Sequence, residues 1–367
     1  MANYAVSVLA TGQAVVTSKY AAPETRRKVP TVMELALQNQ SISIPNAQEL
    51  RVSPLRPVDI NYFTNVAAGS ATAKVAVHTG TYGDSGKINV TYVTHVETFS
   101  LPRKLAYNSI LTYQMLFNNL YEQKWKNLRT RHDTSALAFL YANRMQLSKA
   151  TVDAQIASAF PSGIWNETNF AAEIPQADKT RFAQKIKIFL AARYFTGQYD
   201  IIADLQTAAE MEFQFQQGIG NATNLTWQQA GLNIGTTQDQ IDSNYAAGTV
   251  LAMPAGLFAG LVWNEGLNRQ GVNAGENSVG SLGTIRDPFA GPVTDAMMML
   301  PEAQRNSGVA IADISMYTAR ADTSANTTGG STQDIVDQWE LSLTIGYVAP
   351  PLSTAGDSVI HEIAQMT

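Results

Sequence analysis

Residues 70–128 read SATAKVAVHTGTYGDSGKINVTYVTHVETFSLPRKLAYNSILTYQMLFNNLYEQKWKNL, and this stretch decides the fold. Val75 and Val77 alternate with Lys74, Ala76 and His78. The cluster from Gly80 to Gly86 turns the chain. Ile88, Val90 and Tyr92 then alternate with Lys87, Asn89 and Thr91. Period-two alternation around a Gly/Asp/Ser cluster predicts a β-hairpin. Neither strand is apolar enough for the centre of a sheet, and an isolated two-stranded hairpin is only marginally stable. The hairpin is therefore expected to reach outward and lie on another surface, with Lys74, Tyr82 and Lys87 as its contacts.

The end of the same stretch predicts a long helix after Pro102. Ile110, Tyr113, Phe117, Leu120, Tyr121, Trp125 and Leu128 recur at three- and four-residue spacing and form one apolar stripe. Phe117, Tyr121 and Trp125 are its expected core. No Gly or Pro interrupts residues 103–147. A helix over Arg103–Leu128 spans roughly 39 Å at 1.5 Å per residue, which makes it a spine. The polar cluster from His132 to Ser135 is the expected break, with Asp133 as N-cap of a second helix over Ala136–Leu147.

Working outward, residues 1–60 read as an arm. Prolines at 23, 30, 45, 54 and 57 interrupt it, and a short helix is expected only at Thr31–Gln40. Downstream, Asp178–Tyr194 carries a helical stripe of Phe182, Ile186, Phe189 and Leu190. Asp200–Phe215 reads as a strand or turn followed by a helix. Strands are expected at Thr223–Trp227, Thr249–Met253, Ala310–Tyr317, Trp339–Val348 and Ser358–Ile363. Pro254–Trp263 reads as a helix with proline at its first position. Gly271–Gly283 and Asp322–Thr332 read as loops. Helices and strands interleave without a βαβ rhythm, so the class is α+β.

Composition narrows the chemistry. A content of 45% hydrophobic and 15% charged residues excludes a disordered chain. The absence of cysteine removes disulfides, thiolate metal sites and cysteine nucleophiles. No apolar run is long enough to span a membrane. Gly86-Lys87 lacks both the first glycine and the Ser/Thr of a phosphate loop, and Gly218-Ile-Gly220 lacks the third glycine of a dinucleotide fingerprint. His78, His95, His132 and His361 show no zincin spacing, and no Gly-x-Ser-x-Gly elbow marks a nucleophile. No catalytic residue, metal or cofactor is expected. Lys124, Lys126, Arg129 and Arg131 interleave with Tyr121 and Trp125. Non-specific phosphate contact competes there with a plainer reading, in which Trp125 is core and the cations face solvent or acidic neighbours.

Charge is segregated along the chain. Residues 1–200 hold 21 Lys/Arg and 13 Asp/Glu, a net of +8, whereas residues 201–367 hold 4 and 17, a net of −13. The two halves are expected to attract each other, within a subunit or between copies. Asp334 and Asp337, read with Glu340 as a solvated edge before a strand, are the expected acidic partners of the hairpin lysines.

Arm, projecting hairpin, spine helix, mixed α/β region and returning strands, in this order, resemble the tailed-phage major capsid protein, a fold shared with herpesvirus capsid floors and encapsulins. Leu261-Val-Trp-Asn264 followed by Asn268-Arg-Gln-Gly271, and Asp337-Gln-Trp-Glu340-Leu-Ser-Leu, are similar to segments in capsid proteins of phages infecting Bacteroidetes-type bacteria. The resemblance implies an arm (1–58), an extended loop (59–102), a peripheral domain with the spine helix (103–165), an axial domain (166–325) and C-terminal strands returning to the peripheral domain (326–367). It implies hexamers and pentamers closing an icosahedral shell around double-stranded DNA, in a virion assembled in the host cytoplasm. Portal, scaffolding and decoration proteins are the implied partners, with no membrane. Because the arm opens the chain, any scaffolding is expected to be a separate protein. The rival readings are a cargo shell of encapsulin type, a surface or tail structural protein, and a hydrolase with a spatial triad.

Overall fold

The structure, a computed structural model, describes residues 2–21, 32–38, 58–63, 85–90, 92–103, 109–156, 164–175, 177–178, 182–193, 195, 197–218, 231–263, 279–290, 309–321 and 334–365. Its axis is one helix, Ile110–Ala142, of 33 residues, or roughly 50 Å at 1.5 Å per residue. The Ser109 hydroxyl caps it by accepting from the Thr112 amide at 3.4 Å. Tyr113, Phe117, Tyr121, Trp125 and Leu128 are buried along one stripe, as their spacing predicts. Ile110, expected in that stripe, is exposed, and Leu120 is half-buried.

The expected break at His132–Ser135 does not occur, because each polar group there has a tertiary partner. Asp133 is buried in mid-helix. Its Oδ1 accepts from the backbone amides of Val32 at 3.0 Å and Met33 at 3.3 Å, and its Oδ2 from the Thr237 hydroxyl at 3.0 Å. Asp133 therefore does cap a helix, but the helix is Val32–Gln38 rather than its own continuation. The buried His132 ring donates from Nε2 to the Leu343 carbonyl at 2.9 Å.

The expectation that residues 1–60 hold a helix only at Thr31–Gln40 is corrected. Ala2–Lys19 is a helix, α1, with Ala5, Val8, Leu9 and Val16 buried in the main core. The short helix expected within Thr31–Gln40 is present as Val32–Gln38, α2. The spine is α3. The outgoing strand Val75–His78 and the turn up to Asp84 lie outside the described residues. Ser85–Val90 (β2), which includes Ser85 and Gly86 of the expected turn, pairs antiparallel with Val58–Phe63 (β1).

Two larger sheets flank the spine. Tyr92–Pro102 (β3) lies along the 15-residue strand Asp334–Val348 (β12), from Tyr92 opposite Gly346 to Pro102 opposite Val336. Ile311–Ala321 (β11) and Val279–Arg286 (β10) continue this sheet, and Ala259–Trp263 (β9) pairs with the far end of β12. The helix expected at Pro254–Trp263 is thus a strand. It is too short to bury an amphipathic face alone, and β12 offers a complete hydrogen-bonding partner. Gly280 and Gly283, expected in a loop, lie in β10. The register shifts between Ser281 and Gly283, where φ is 110°, a bulge that glycine accommodates.

The second sheet runs Trp165–Asn166 (β4), Ala171–Ile174 (β5), His361–Gln365 (β13), Thr249–Pro254 (β8), Tyr199–Asp204 (β6) and Leu232–Thr237 (β7) in spatial order. β13 is parallel to β5, and β6 to β7; the other pairs are antiparallel. Strand alternation gives this sheet two apolar faces. Ile202, Leu251 and Met253 join the spine-helix core, whereas Ile201, Ala203, Val250 and Ala252 join a second core. That core is closed by Lys149–Ile156 (α4), which contributes Val152, by Phe182–Ala192 (α5) and by Leu205–Gly218 (α6), with Phe182, Ile186, Phe189 and Leu190 buried as expected. The architecture is α+β: two mixed layers on a helical axis.

Candidate assembly surfaces

The spine helix divides in two by charge. Ile110–Tyr121 contains no Lys, Arg, Asp or Glu, and neither does α1 before Lys19. These uncharged segments pack side by side. The Tyr4 and Tyr113 rings lie 5.8 Å apart, and the Gln114 amide donates to the Val8 carbonyl at 3.1 Å. Gly12 sets the spacing: a Cβ there would lie 2.5 Å from a Phe117 ring carbon. The outer face of this helix pair exposes large apolar side chains, with Leu111 at 74%, Met115 at 72%, Ile110 at 59% and Val6 at 51%. Contiguous apolar exposure with no charge matches the centre of a protein–protein interface.

The C-terminal part of the helix is charged and internally paired. Lys124 and Arg131 reach Glu97 of β3 at 2.9 and 3.0 Å. Lys126 and Lys19 share Glu122, each at 2.8 Å. Burial pushes the Glu122 carboxyl up, but hydrogen bonds from Lys126, Lys19 and Tyr20 outweigh it and hold the group at about 2. Arg129 is buried between Asp287 and Glu34. The basic cluster therefore follows the plainer reading: its cations face acidic neighbours, and Trp125 is core.

The expected hairpin contacts are distributed unevenly. Lys74 and Tyr82 lie outside the described residues. Lys87 is exposed on β2, opposite Asn61. Asp334 opens β12 opposite Ala321. Asp337 is not a solvated edge: it is fully buried inside β12. Arg103 approaches it at 2.5 Å, and the Tyr113 hydroxyl donates to it at 3.0 Å. A carboxylate satisfied this way is a tether between strand and spine, because a buried charge needs both a counter-ion and hydrogen bonds. The charge segregation is used in part within one subunit. Arg103–Asp337, Arg129–Asp287, Arg144–Glu362 and Arg193–Asp357 each join a base of the first half to an acid of the second.

The histidines sit in structural positions. The His95 and His132 rings meet edge to face at 4.6 Å. The His95 Nε2 lies 2.8 Å from the Ser135 hydroxyl, and that hydroxyl also bonds the Arg131 carbonyl at 3.0 Å within the helix. No carboxylate among the described residues hydrogen-bonds the His95 ring, so this Ser–His pair lacks a third group to orient it. His361 is buried against Phe189 and Phe195. Among the described residues, no group of three or more His, Asp or Glu side chains is arranged for a metal, and no helix is long and apolar enough to cross a membrane.

No family model matches the chain, and no curated protein matches it. Among solved structures it is similar to one from Mycobacterium phage Ogopogo, with 8% identity over 88% of this chain and 92% of that one, at a TM-score of 0.43. A structure from Mycobacterium phage Adephagia shows 10% identity over 86% and 87%, at 0.41. The capsid structure of the cyanophage P-SCSP1u shows 9% identity over 84% and 83%, at 0.37.

Proposed function

We propose that this chain is a structural shell subunit of the tailed-phage major capsid type. It assembles as hexamers and pentamers into an icosahedral shell around double-stranded DNA. The observation that carries this reading is the uncharged, apolar outer face of α1 and the first turns of the spine helix. A surface of that kind is costly for a protein that stays alone in water and suits one that is covered by other protein. The order of elements supports it: a two-stranded extension (β1 and β2), then a spine of 33 residues laid across two sheets. The chain is read as non-catalytic. Its partners are further copies of itself, with portal, scaffolding and decoration proteins and non-specific contact to packaged DNA. The virion is its place, reached by assembly in the host cytoplasm. Arm, extended loop, peripheral and axial regions keep the boundaries implied by the resemblance, and the exposed Lys87 belongs to the extended loop.

Light scattering and electron microscopy of the recombinant protein, with assembly partners supplied, test the reading. Capsomers or closed shells are expected, and Leu111→Asp with Met115→Asp is expected to leave a folded subunit that does not assemble. A wild-type chain that remains monomeric under every assembly condition, or shells unaffected by both substitutions, overturns it. Nuclease-protected DNA inside the particles separates a phage head from a cargo shell.

A further inference from the structure

The spine helix ends against the second sheet in a seam that is polar where most of the interior is apolar. Arg144 follows the last helical turn. Its guanidinium lies over the Tyr141 ring at 3.6 Å and donates to the Tyr141 carbonyl at 2.8 Å. It also donates to the Asn169 carbonyl at 3.4 Å. Glu362 is in the middle of β13, between Leu251 of β8 and Ala171 of β5, with its side chain fully buried. The Arg144 Nε is 2.8 Å from its Oε2. The carboxyl of Asp242, also buried, comes within hydrogen-bonding reach of Glu362 and of the Tyr141 hydroxyl. From β5 and the neighbouring loop, Glu173 and Tyr245 face the same site, the Tyr245 hydroxyl donating to Glu173 Oε1 at 2.9 Å. Backbone bonds close the seam: Met145 N–H to the Ile360 carbonyl at 2.8 Å, and the Ser358 hydroxyl to the Asn143 carbonyl at 2.6 Å.

Glu362 thus contacts both a guanidinium and a second buried carboxyl. We propose that Glu362, Asp242 and Arg144 form a proton-controlled latch between the spine helix and the second sheet. A proton held on Glu362 spares the seam a second negative charge beside the Arg144 guanidinium. Loss of that proton leaves a second negative charge without a counter-ion in a dry seam, and the seam loosens. The proton leaves Glu362 to solvent base, and no other bond changes.

Burial, then the Arg144 charge against it and Asp242 in support, place the Glu362 carboxyl at about 8. The unfolded chain releases this proton near pH 4.5, the ordinary glutamate value. The folded state therefore holds one more proton between pH 4.5 and 8. The stability it contributes is fully present below 4.5 and is lost as pH rises to 8. In this range the unfolded chain's histidines, with an ordinary value of 6.5, still take protons that buried His132 and His361 refuse, and Asp133, pushed up by burial to about 6, keeps part of its proton, so the latch is read as the difference in slope between wild type and a variant without the Glu362 charge. The two proteins are compared from pH 6.5 to 8, where Asp287, also raised by burial, is common to both and cancels.

Urea unfolding of the full, unassembled chain across that window is the test. Relative to Glu362→Gln, which keeps the shape and removes the charge, the wild-type unfolding constant should rise by up to about tenfold per pH unit. Asp242→Asn should bring the slope toward that of Glu362→Gln, because Glu362 then pairs with Arg144 alone. A wild-type slope retained in Glu362→Gln overturns the proposal. A measurement on the unmodified protein guards against misfolded variants: infrared titration should show a buried protonated carboxyl at pH 7 that disappears near pH 8. Its absence above pH 6 overturns the latch as well.

Discussion

The two halves of the spine helix share one buried stripe and differ in everything outside it. From Ile110 to Tyr121 the outer face is uncharged and exposed. From Glu122 to Arg144 nearly every described charge is tied to a strand, a helix or a loop of the same chain. The comparison separates two uses of surface. Charges that fold the subunit are consumed by internal partners. The end of the helix without charges has no ion pair to form, and beyond its packing on α1 its large apolar side chains stay exposed.

The comparison breaks most sharply at Arg129. Arg129→Ala strands Asp287 in the core, and removing one partner of a buried pair costs about 3–5 kcal/mol, to be read by urea unfolding. A loss below about 1 kcal/mol would mean that water reaches Asp287. Next is the shared stripe. Phe117→Ala and Trp125→Ala, one in each half, should each cost about 3–5 kcal/mol. Both side chains are fully buried. A loss below about 1 kcal/mol at either position would show that its half of the stripe is not packed core.

Acid sharpens the contrast further. Burial, aided by His95 and Arg193 respectively, pushes His132 and His361 down to about 3. Their cost fades as pH rises past the ordinary histidine value of 6.5. Below it the unfolded chain takes protons that the folded chain refuses, so stability falls with pH until about 3. The loss is at most about 1.4 kcal/mol per pH unit for each histidine. A His132→Gln variant, compared with wild type by thermal unfolding between pH 4 and 7, should show the shallower slope; equal slopes would exclude His132 as a source. The smallest effects are at the surface. Lys126→Ala and Leu111→Asp should each change subunit stability by no more than about 0.5 kcal/mol. Only Leu111→Asp should stop assembly, as scattering would show, and loss of assembly in both would erase the distinction between the halves.

The stripe was legible because burial of one helical face imposes a three- and four-residue period that needs no knowledge of the partner. The same holds for Phe182, Ile186, Phe189 and Leu190 in α5, and for the strand at Thr249–Met253. The errors have a common cause. His132 and Asp133 look like a helix break when their polar groups are assumed to seek local or solvent partners. Asp337 looks like a solvated edge on the same assumption, and Pro254–Trp263 looks like a helix start because proline at a first helical position is a purely local signal. In the structure those groups bond to residues about one to two hundred positions away, as with Asp133 to Val32 and Arg103 to Asp337. The uncharged run of the candidate surface was present in the sequence as missing charge at Ala2–Ser18 and Ile110–Tyr121. Only packing of α1 on the spine shows that the two runs form one face.

By itself the sequence determined the periods, the spine, the α+β class and the opposite charge of the two halves, since these depend on neighbours within a few turns or on composition. Tertiary structure alone decided which charges are spent inside the subunit, which helix Asp133 caps, and which end of the spine stays bare. Those outcomes depend on the pairing of distant segments, where the desolvation of a buried charge exceeds any local preference and the partner is fixed by the fold.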